Sequence, residues 1–223
     1  MMLLADARLP TGAHTQSAGL EPALRAGLSA SEVPAYISAR LRTVTAVEAA
    51  AAVVARQYTL DAAIDPGVDL AAALAGVDAA WRARTVSQAL RETSVLLGRG
   101  YARLVRRLWS DAAATRALAE IGRPGRAVVL GVTAAIAGLS AAQLVRVIGY
   151  DDAQTVAAAT LKLAPLDPVV TTGWVIAAGV EIERLVDDLA GLTDTEQMPA
   201  AGAPQIELWA EIHATTSQRL FRA

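Results

Sequence analysis

The sequence predicts an all-α fold, built as a single domain of about eight to ten packed helices. Alanine dominates the 54% apolar content while aromatic residues supply only 4%, and alanine is the best helix former with a side chain small enough for close helix packing. Apolar residues recur at spacings of three and four, and no stretch alternates with period two. A length of 223 residues fits one large domain.

The first nineteen residues predict an extended or looped lead-in. They contain Pro10, Gly12 and Gly19 and show little periodicity. A short helix follows, and a capping box at Ser29–Glu32 starts the next one. The helices predicted in this half span Glu21–Ala26, Ser29–Val44, Val44–Tyr58 and Asp69–Arg84.

The helix predicted over Val86–Trp109 has the clearest pattern. Its apolar stripe is formed by Leu90, Thr93, Leu97, Tyr101, Leu104 and Leu108. The opposite face carries Arg99, Arg103, Arg106 and Arg107. Such a face indicates either ordinary solvation or a surface for an acidic partner.

The second half predicts helices over Asp111–Glu120, Ala127–Ala137, Ala141–Leu163, Val169–Leu192 and Gln205–Leu220. The nearly uncharged run 127–145 approaches membrane-spanning length, but Gly138 and Ser140 divide it into two buried helices. Residues 193–204 are polar and punctuated by Gly and Pro, which predicts a flexible linker. The predicted organisation is a core over 1–192, this linker, and a C-terminal helix with a tail over 205–223.

Charge and composition exclude several classes of function. The net charge is −2 and the pI about 5.7, which gives no electrostatic case for nucleic acid or an anionic membrane. There is no Cys and there are two His, too few for a thiolate or histidine metal cage. The first residues lack the basic start of a secretory signal, so we expect a cytoplasmic protein.

Two acidic pairs, Asp151-Asp152 and Asp187-Asp188, provide the best enzyme interpretation. Class I terpene synthases bind magnesium through aspartate-rich helices, but here the partner residues fall at the wrong offsets. Solvated acidic pairs near helix ends are the better explanation. No strand-flanked glycine loop for phosphate and no Gly-x-Ser-x-Gly elbow occurs. We therefore expect a protein that works by binding and is not an enzyme.

Motifs at both ends of the chain and two between them resemble the urease accessory protein family UreF. The opening Leu9-Pro10-Thr11-Gly12-Ala13-His14 leads to Gly19-Leu20-Glu21, and the chain closes with His213 and Ser217–Arg222. Gly98-Arg99 and Leu161–Leu166 lie between them in the family's order. The chain departs from the family pattern at His14, Ala214 and Asp167–Val170.

The resemblance implies an all-α, usually dimeric adaptor without a cofactor of its own. Such proteins join the scaffold UreD (also called UreH) to the GTPase UreG and dock on apo-urease, and GTP hydrolysis by UreG drives nickel delivery. Nickel and GTP would then be handled by partners. The residues expected to contact partners are Pro10, Gly12, His14, Gly19, Glu21, Arg99, Arg103, His213, Arg219, Leu220, Phe221 and Arg222.

Several alternatives stay open at the level of sequence. A ligand-sensing all-α regulator would be a different binding class, although no basic helix-turn-helix is visible. His14 and His213 are candidates for weak, transient nickel contacts, or are structural. Ala- and Gly-rich faces of the Ala127–Leu163 helices predict a homodimer interface or a buried hairpin. Leu220 and Phe221 either dock into a UreD groove or fold back on this chain's own core.

Overall fold

The structure is built of α-helices joined by turns and short loops. The computed structural model describes Leu4, residues 9–12 and residues 15–221, and no strand occurs in this part of the chain. The α-helices are α1 (Leu20–Arg25), α2 (Val33–Arg40), α3 (Ala46–Ile64), α4 (Leu70–Arg84), α5 (Gln88–Leu108), α6 (Ala113–Glu120), α7 (Arg126–Ile136), α8 (Ala141–Leu163), α9 (Pro168–Leu189) and α10 (Pro204–Thr215). The predicted fold class is confirmed.

Helices α3 and α7 form the centre of the core. Every residue of α7 from Arg126 to Ala134 is buried, and α7 lies against α3 so closely that a Cβ on Gly131 would be 2.3 Å from the carbonyl oxygen of Ala52. Helices α4, α5 and α8 pack around this pair, and α9 covers α8. The small side chains thus permit the close approach that the composition predicted.

The surface predicted for dimerisation is largely inside one chain. Because α7 is enclosed by α3, α5 and α6, its Ala- and Gly-rich face is not available to a second copy. Of the two alternatives, a homodimer interface or a buried hairpin, the second therefore applies to α7. Helix α8 is likewise buried along one side and covered by α9.

Most predicted helix boundaries agree with the structure, and the differences have identifiable causes. Helix α8 spans Ala141–Leu163 as predicted, with the Ser140–Gln143 capping box in place. Helices α2 and α3 are joined without a break by a π-helical turn at Leu41–Thr45. Helix α10 ends at Thr215, five residues before the prediction, because the chain folds back toward α1.

Two predicted apolar faces are rotated in the structure. On α5 the buried residues include Val95, Leu97, Tyr101 and Val105, whereas Leu108 is 50% exposed. The buried face of α5 is therefore rotated from the predicted one, and it includes the two small residues Ser94 and Gly98. On α10 the sequence predicts one apolar face through Ile206, Trp209, Ile212 and Thr216. In the structure the buried residues are Ile206 and His213, and Ile212 is exposed.

Residues 193–204 are packed along part of their length. They contain a short 3₁₀ helix at Thr195–Gln197, which Asp194 caps, and Met198 and Ala203 are buried. The guanidinium of Arg84 donates to the carbonyl oxygens of Thr195 and Met198. The segment is thus held against α4, and its flexibility stays a prediction.

Candidate partner-binding site

The two ends of the chain meet at the carboxylate of Glu21. The backbone N–H of Leu220 donates to Oε1 at 2.8 Å, and that of Phe221 donates to Oε2 at 2.9 Å. Glu21 is buried, so this carboxylate depends on protein donors and not on water. The opening and closing motifs of the sequence therefore form one structural unit, which we call the end junction (Gly19, Glu21, His213 and Arg219–Phe221).

A left-handed turn directs Glu21 into the junction. Ala18 and Gly19 both have positive φ, at 52° and 77°, immediately before α1. The hydroxyl of Tyr36 donates to the carbonyl oxygen of Ala18 at 2.7 Å, and a Cβ on residue 19 would lie 2.9 Å from that hydroxyl. Gly19 is therefore required both by its backbone conformation and by the space around it.

Arg25 completes the coordination of the Glu21 carboxylate. Its Nη2 lies 2.7 Å from Oε1 of Glu21, one turn along α1, and its Nη1 donates to the carbonyl oxygen of Gln218. Arg25 thus binds the tail and the buried carboxylate at once. Charge-assisted hydrogen bonds of this kind are the stronger ones in proteins.

His213 on α10 contacts the same carboxylate from the other side. Its Nε2 lies 3.8 Å from Oε2 of Glu21 and 3.2 Å from the carbonyl oxygen of Phe221, to which it donates. Burial lowers the pKa of His213, an effect that the Phe221 carbonyl and Glu21 partly offset. The imidazole is therefore suited to act as a neutral donor that holds the end of the tail.

The tail has one buried and one exposed apolar side chain. Phe221 is 5% exposed and packs in the core, with the ammonium of Lys162 5.1 Å from its ring centroid. Leu220 is 63% exposed. In this structure Phe221 therefore folds back on the chain's own core, which was one of the two alternatives, while Leu220 remains on the surface. Docking of the tail to a partner stays a prediction.

Buried ion pairs lie beside the junction, around a cavity of about 300 Å³. Arg40 donates from Nε and Nη2 to the carboxylate of Asp152, and Arg126 joins Glu48 to Asp151. The expectation that Asp151 and Asp152 are solvated is wrong: they lie within α8, and Asp152 is 7% exposed. Burial raises the pKa of Asp151, against the lowering effect of Arg126.

This arrangement also counts against the magnesium-binding interpretation. Both oxygens of Asp152 are occupied by Arg40, and one oxygen of Asp151 by Arg126, so arginines take the place that a metal would need. Asp187 and Asp188 are exposed on α9. Within the described residues, no group of three or more His, Asp or Glu side chains is arranged to bind a metal ion.

The two histidines can be assessed only in part. His14 lies outside the described residues, as does Arg222. His213 uses Nε2 in the end junction. A nickel contact at either residue stays a prediction.

The remaining predicted contact residues form a second cluster around α5. Pro10, Thr11 and Gly12 pass over this helix, and the guanidinium of Arg103 donates to the carbonyl oxygen of Pro10 at 2.9 Å. Arg99 is exposed beside them. The structure thus brings Pro10, Gly12, Arg99 and Arg103 together, at a place separate from the end junction.

Comparison with known proteins decides the family. The UreF family profile matches residues 28–178, which is more than half of the chain. The chain belongs to the UreF family. Because the profile match excludes both ends of the chain, it is independent of the motifs that meet at Glu21.

Relatives extend the match to nearly the whole chain. The urease accessory protein UreF of Mycobacterium sp. (strain JLS) is 32% identical over 224 residues, covering 99% of this chain and 96% of that protein. The same coverage is found for the urease accessory proteins UreF of Mycobacterium marinum, 33% identical, and of Mycobacterium tuberculosis (strain H37Rv), 31% identical. The resemblance read from the end motifs is confirmed.

Sequence reasoning missed the buried ion pairs. The pattern does not single out Arg40, Glu48 or Arg126, since isolated charged residues in a helical pattern resemble a solvated face. A signal was available in α7, where Arg126 heads an otherwise uncharged run.

The described helices include none long and apolar enough to span a membrane, in agreement with the prediction for the run 127–145.

Proposed function

We propose that the protein is a non-enzymatic adaptor in urease maturation, which joins the UreD/UreH scaffold to the GTPase UreG and supports GTP-dependent nickel delivery to apo-urease in the cytoplasm. The observation that carries this proposal is the match of 99% of the chain to relatives named urease accessory protein UreF. Nickel and GTP would be bound by the partners.

The end junction supports a binding role for the C-terminal tail. It presents Leu220 and Arg219 on the surface, next to a short segment whose path is set by Glu21. An exposed apolar side chain held by ordered backbone needs little further ordering when a partner covers it. We propose that Leu220 and Arg219 contact the UreD/UreH scaffold while Phe221 keeps the tail attached.

We also propose that the chain forms a homodimer, and helix α9 supports this. Its outer face carries Val169, Ile176 and Val180, which are 75%, 75% and 65% exposed. With Gly173 they follow spacings of four, three and four, the pattern of a helix–helix seam. A second copy of α9 would bury this row, so Ile176→Asp should leave the fold intact and yield a monomer by light scattering. A monomeric wild-type protein would contradict the dimer.

Genetic complementation tests the adaptor role. Deletion of the gene in its own organism should leave apo-urease at normal abundance but without nickel or activity, and the wild-type gene should restore both. A Leu220→Asp variant should restore less activity than Ser217→Asp, which introduces the same charge at another exposed position of the tail. Normal urease activity in the deletion strain would overturn the proposal.

A further inference from the structure

A groove of about 870 Å³ runs along one side of α5 and is separate from the end junction. Its floor is formed by α5, which contributes the exposed side chain of Leu96, and by α6, which contributes the buried Leu118. One wall is the segment 10–12, and the other is the turn 122–124 between α6 and α7. The groove therefore has a defined shape and is more than a flat helix face.

Two glycines of α5 bring the walls into place. A Cβ on Gly100 would lie 2.5 Å from the carbonyl oxygen of Thr11, and one on Gly98 would lie 2.6 Å from that of Pro124. Each wall thus touches the α5 backbone at a residue without a side chain. Arg99 lies between these two contacts and is exposed.

The charge of the groove has a single sign. Among the described residues, four arginines line it and no Asp or Glu does: Arg99, Arg103, Arg106 and Arg123. In the same part of the chain none of the four forms an ion pair, whereas Arg40, Arg126 and Arg146 elsewhere do. The whole chain has a net charge of −2, and these four arginines contribute +4, so the rest of the chain has a net charge of −6. Positive charge is thus concentrated here against the balance of the molecule.

The spacing of the arginines indicates the form of the occupant. Arg99, Arg103 and Arg106 follow one another at four and three residues, so they extend over roughly 10 Å of the helix axis. A compact anion such as phosphate would meet one or two of them. Carboxylates distributed along a peptide would meet all of them, and guanidinium groups bind carboxylates through paired hydrogen bonds.

Two features favour an acidic peptide over a nucleic acid. No aromatic side chain is found among the described residues that line the groove, and base stacking on aromatics is a main source of affinity for single strands. The negative remainder of the chain would also repel a long polyanion that left the groove. A short acidic segment of a protein needs no aromatic stacking and need not extend beyond the groove, and its apolar side chains can contact the exposed Leu96.

We infer that this groove binds an acidic, extended segment of a partner protein, with Arg99, Arg106 and Arg123 pairing with its carboxylates. The inference rests on the proposed adaptor role, for which it gives the chemistry of one contact. Arg103 has a different task, since its bond to Pro10 fixes one wall. The segment 10–12 of the opening motif thereby forms part of a binding surface.

Peptide binding by the isolated protein tests the inference. A fluorescein-labelled peptide of about twelve residues, alternating Glu and Ala and about 40 Å long when extended, is titrated by fluorescence anisotropy beside its Gln-Ala counterpart and a labelled oligothymidylate. We expect the Glu-Ala peptide to bind best and to weaken as salt is raised. The double variant Arg99→Glu, Arg106→Glu should bind it at least about tenfold more weakly, a loss of about 1.4 kcal/mol.

Arg107→Glu is the matched control. Arg107 is exposed on the same helix but does not line the groove, so its reversal should change binding less than about twofold, or about 0.4 kcal/mol. Circular dichroism verifies that each variant folds. Equal binding of the Gln-Ala peptide, tighter binding of the oligothymidylate, or an equal loss in Arg107→Glu would overturn the inference. Recovery of UreD/UreH and UreG by the wild-type protein is measured separately, so failure of the adaptor role is distinguishable from failure of the groove.

Discussion

Glu21 holds the last described residues against the first helix through hydrogen bonds to two backbone amides. Replacing it by Gln keeps the shape but removes the charge and turns one acceptor oxygen into a donor that faces an N–H. We expect Glu21→Gln to lower the free energy of unfolding by about 1–3 kcal/mol, the cost of leaving a buried polar group without its partner. Urea denaturation monitored by circular dichroism measures this change.

The same variant should release the tail locally. Trypsin cleaves after arginine, and Arg219 is exposed directly before the two anchored amides. Mass spectrometry should therefore show faster cleavage after Arg219 in Glu21→Gln than in the wild type. Unchanged stability and unchanged cleavage together would show that the carboxylate does not hold the tail.

His213 gives the junction a pH dependence with a defined sign. Because burial lowers its pKa in the folded state, the unfolded chain takes up a proton more readily as pH falls below about 6.5. The free energy of unfolding should thus decrease as the pH is lowered from about 7.5 to about 5.5. His213→Gln removes this contribution while keeping a donor for the Phe221 carbonyl. The free energy of unfolding of the variant should therefore decrease less than that of the wild type over the same pH interval. An equal or larger loss in the variant would contradict the assignment.

Close helix contacts at glycine determine how the elements pack. Gly131→Ala would place a Cβ 2.3 Å from the Ala52 carbonyl oxygen, whereas the equivalent change at Gly76 in α4 meets nothing within 4 Å. We expect Gly131→Ala to destabilise the protein by about 1–3 kcal/mol through overpacking. Gly76→Ala should stabilise it by about 0.5–1 kcal/mol, because alanine is the better helix former.

Thermal unfolding of the two variants separates packing from helix propensity. The melting temperature should fall in Gly131→Ala and rise in Gly76→Ala. A rise in both would mean that α3 and α7 can move apart at little cost, and the close contact between them would then not be a determinant of the fold.

Local sequence signals predicted the elements better than their faces. Gly138 and Ser140 marked the boundary before α8 correctly because capping depends on residues within one turn. The early end of α10 was not predictable in this way, since the chain leaves the helix to reach Glu21, a residue distant in sequence. The rotated stripe of α5 has a similar cause. Gly98 packs against the turn before α7, and the hydroxyl of Ser94 accepts a hydrogen bond from the backbone N–H of Arg126, the first residue of α7.

At the scale of the whole molecule, the end motifs were recognisable in sequence but their contact was not. A single sequence shows that Gly19-Leu20-Glu21 and Leu220-Phe221 are unusual for a helical protein, and says nothing about which residue accepts which hydrogen bond. The buried pair Arg40–Asp152 illustrates the same limit, because 112 positions separate its members. Long-range polar pairing is set by the packed fold and becomes visible only there.

Truncation shows how the two ends depend on each other. If the tail only docked to a partner, removal of Arg219–Ala223 would leave the melting temperature nearly unchanged. In the structure it would remove buried Phe221 and both amide donors of Glu21, so we expect a clearly lower melting temperature by calorimetry. Leu220→Asp keeps these anchors and is the better probe of partner binding, with a melting temperature close to the wild type. An unchanged melting temperature in the truncated protein would contradict the junction.

Bridging of the two partners is the property that defines the proposed adaptor. UreD/UreH of the same organism, carrying an affinity tag, is mixed with UreG in the presence and absence of the purified chain, and the retained proteins are quantified. We predict that UreG is retained only when the chain is present, and that Leu220→Asp reduces the retention of both the chain and UreG. Retention of UreG at the same level without the chain, or failure of the chain itself to be retained, would contradict the account.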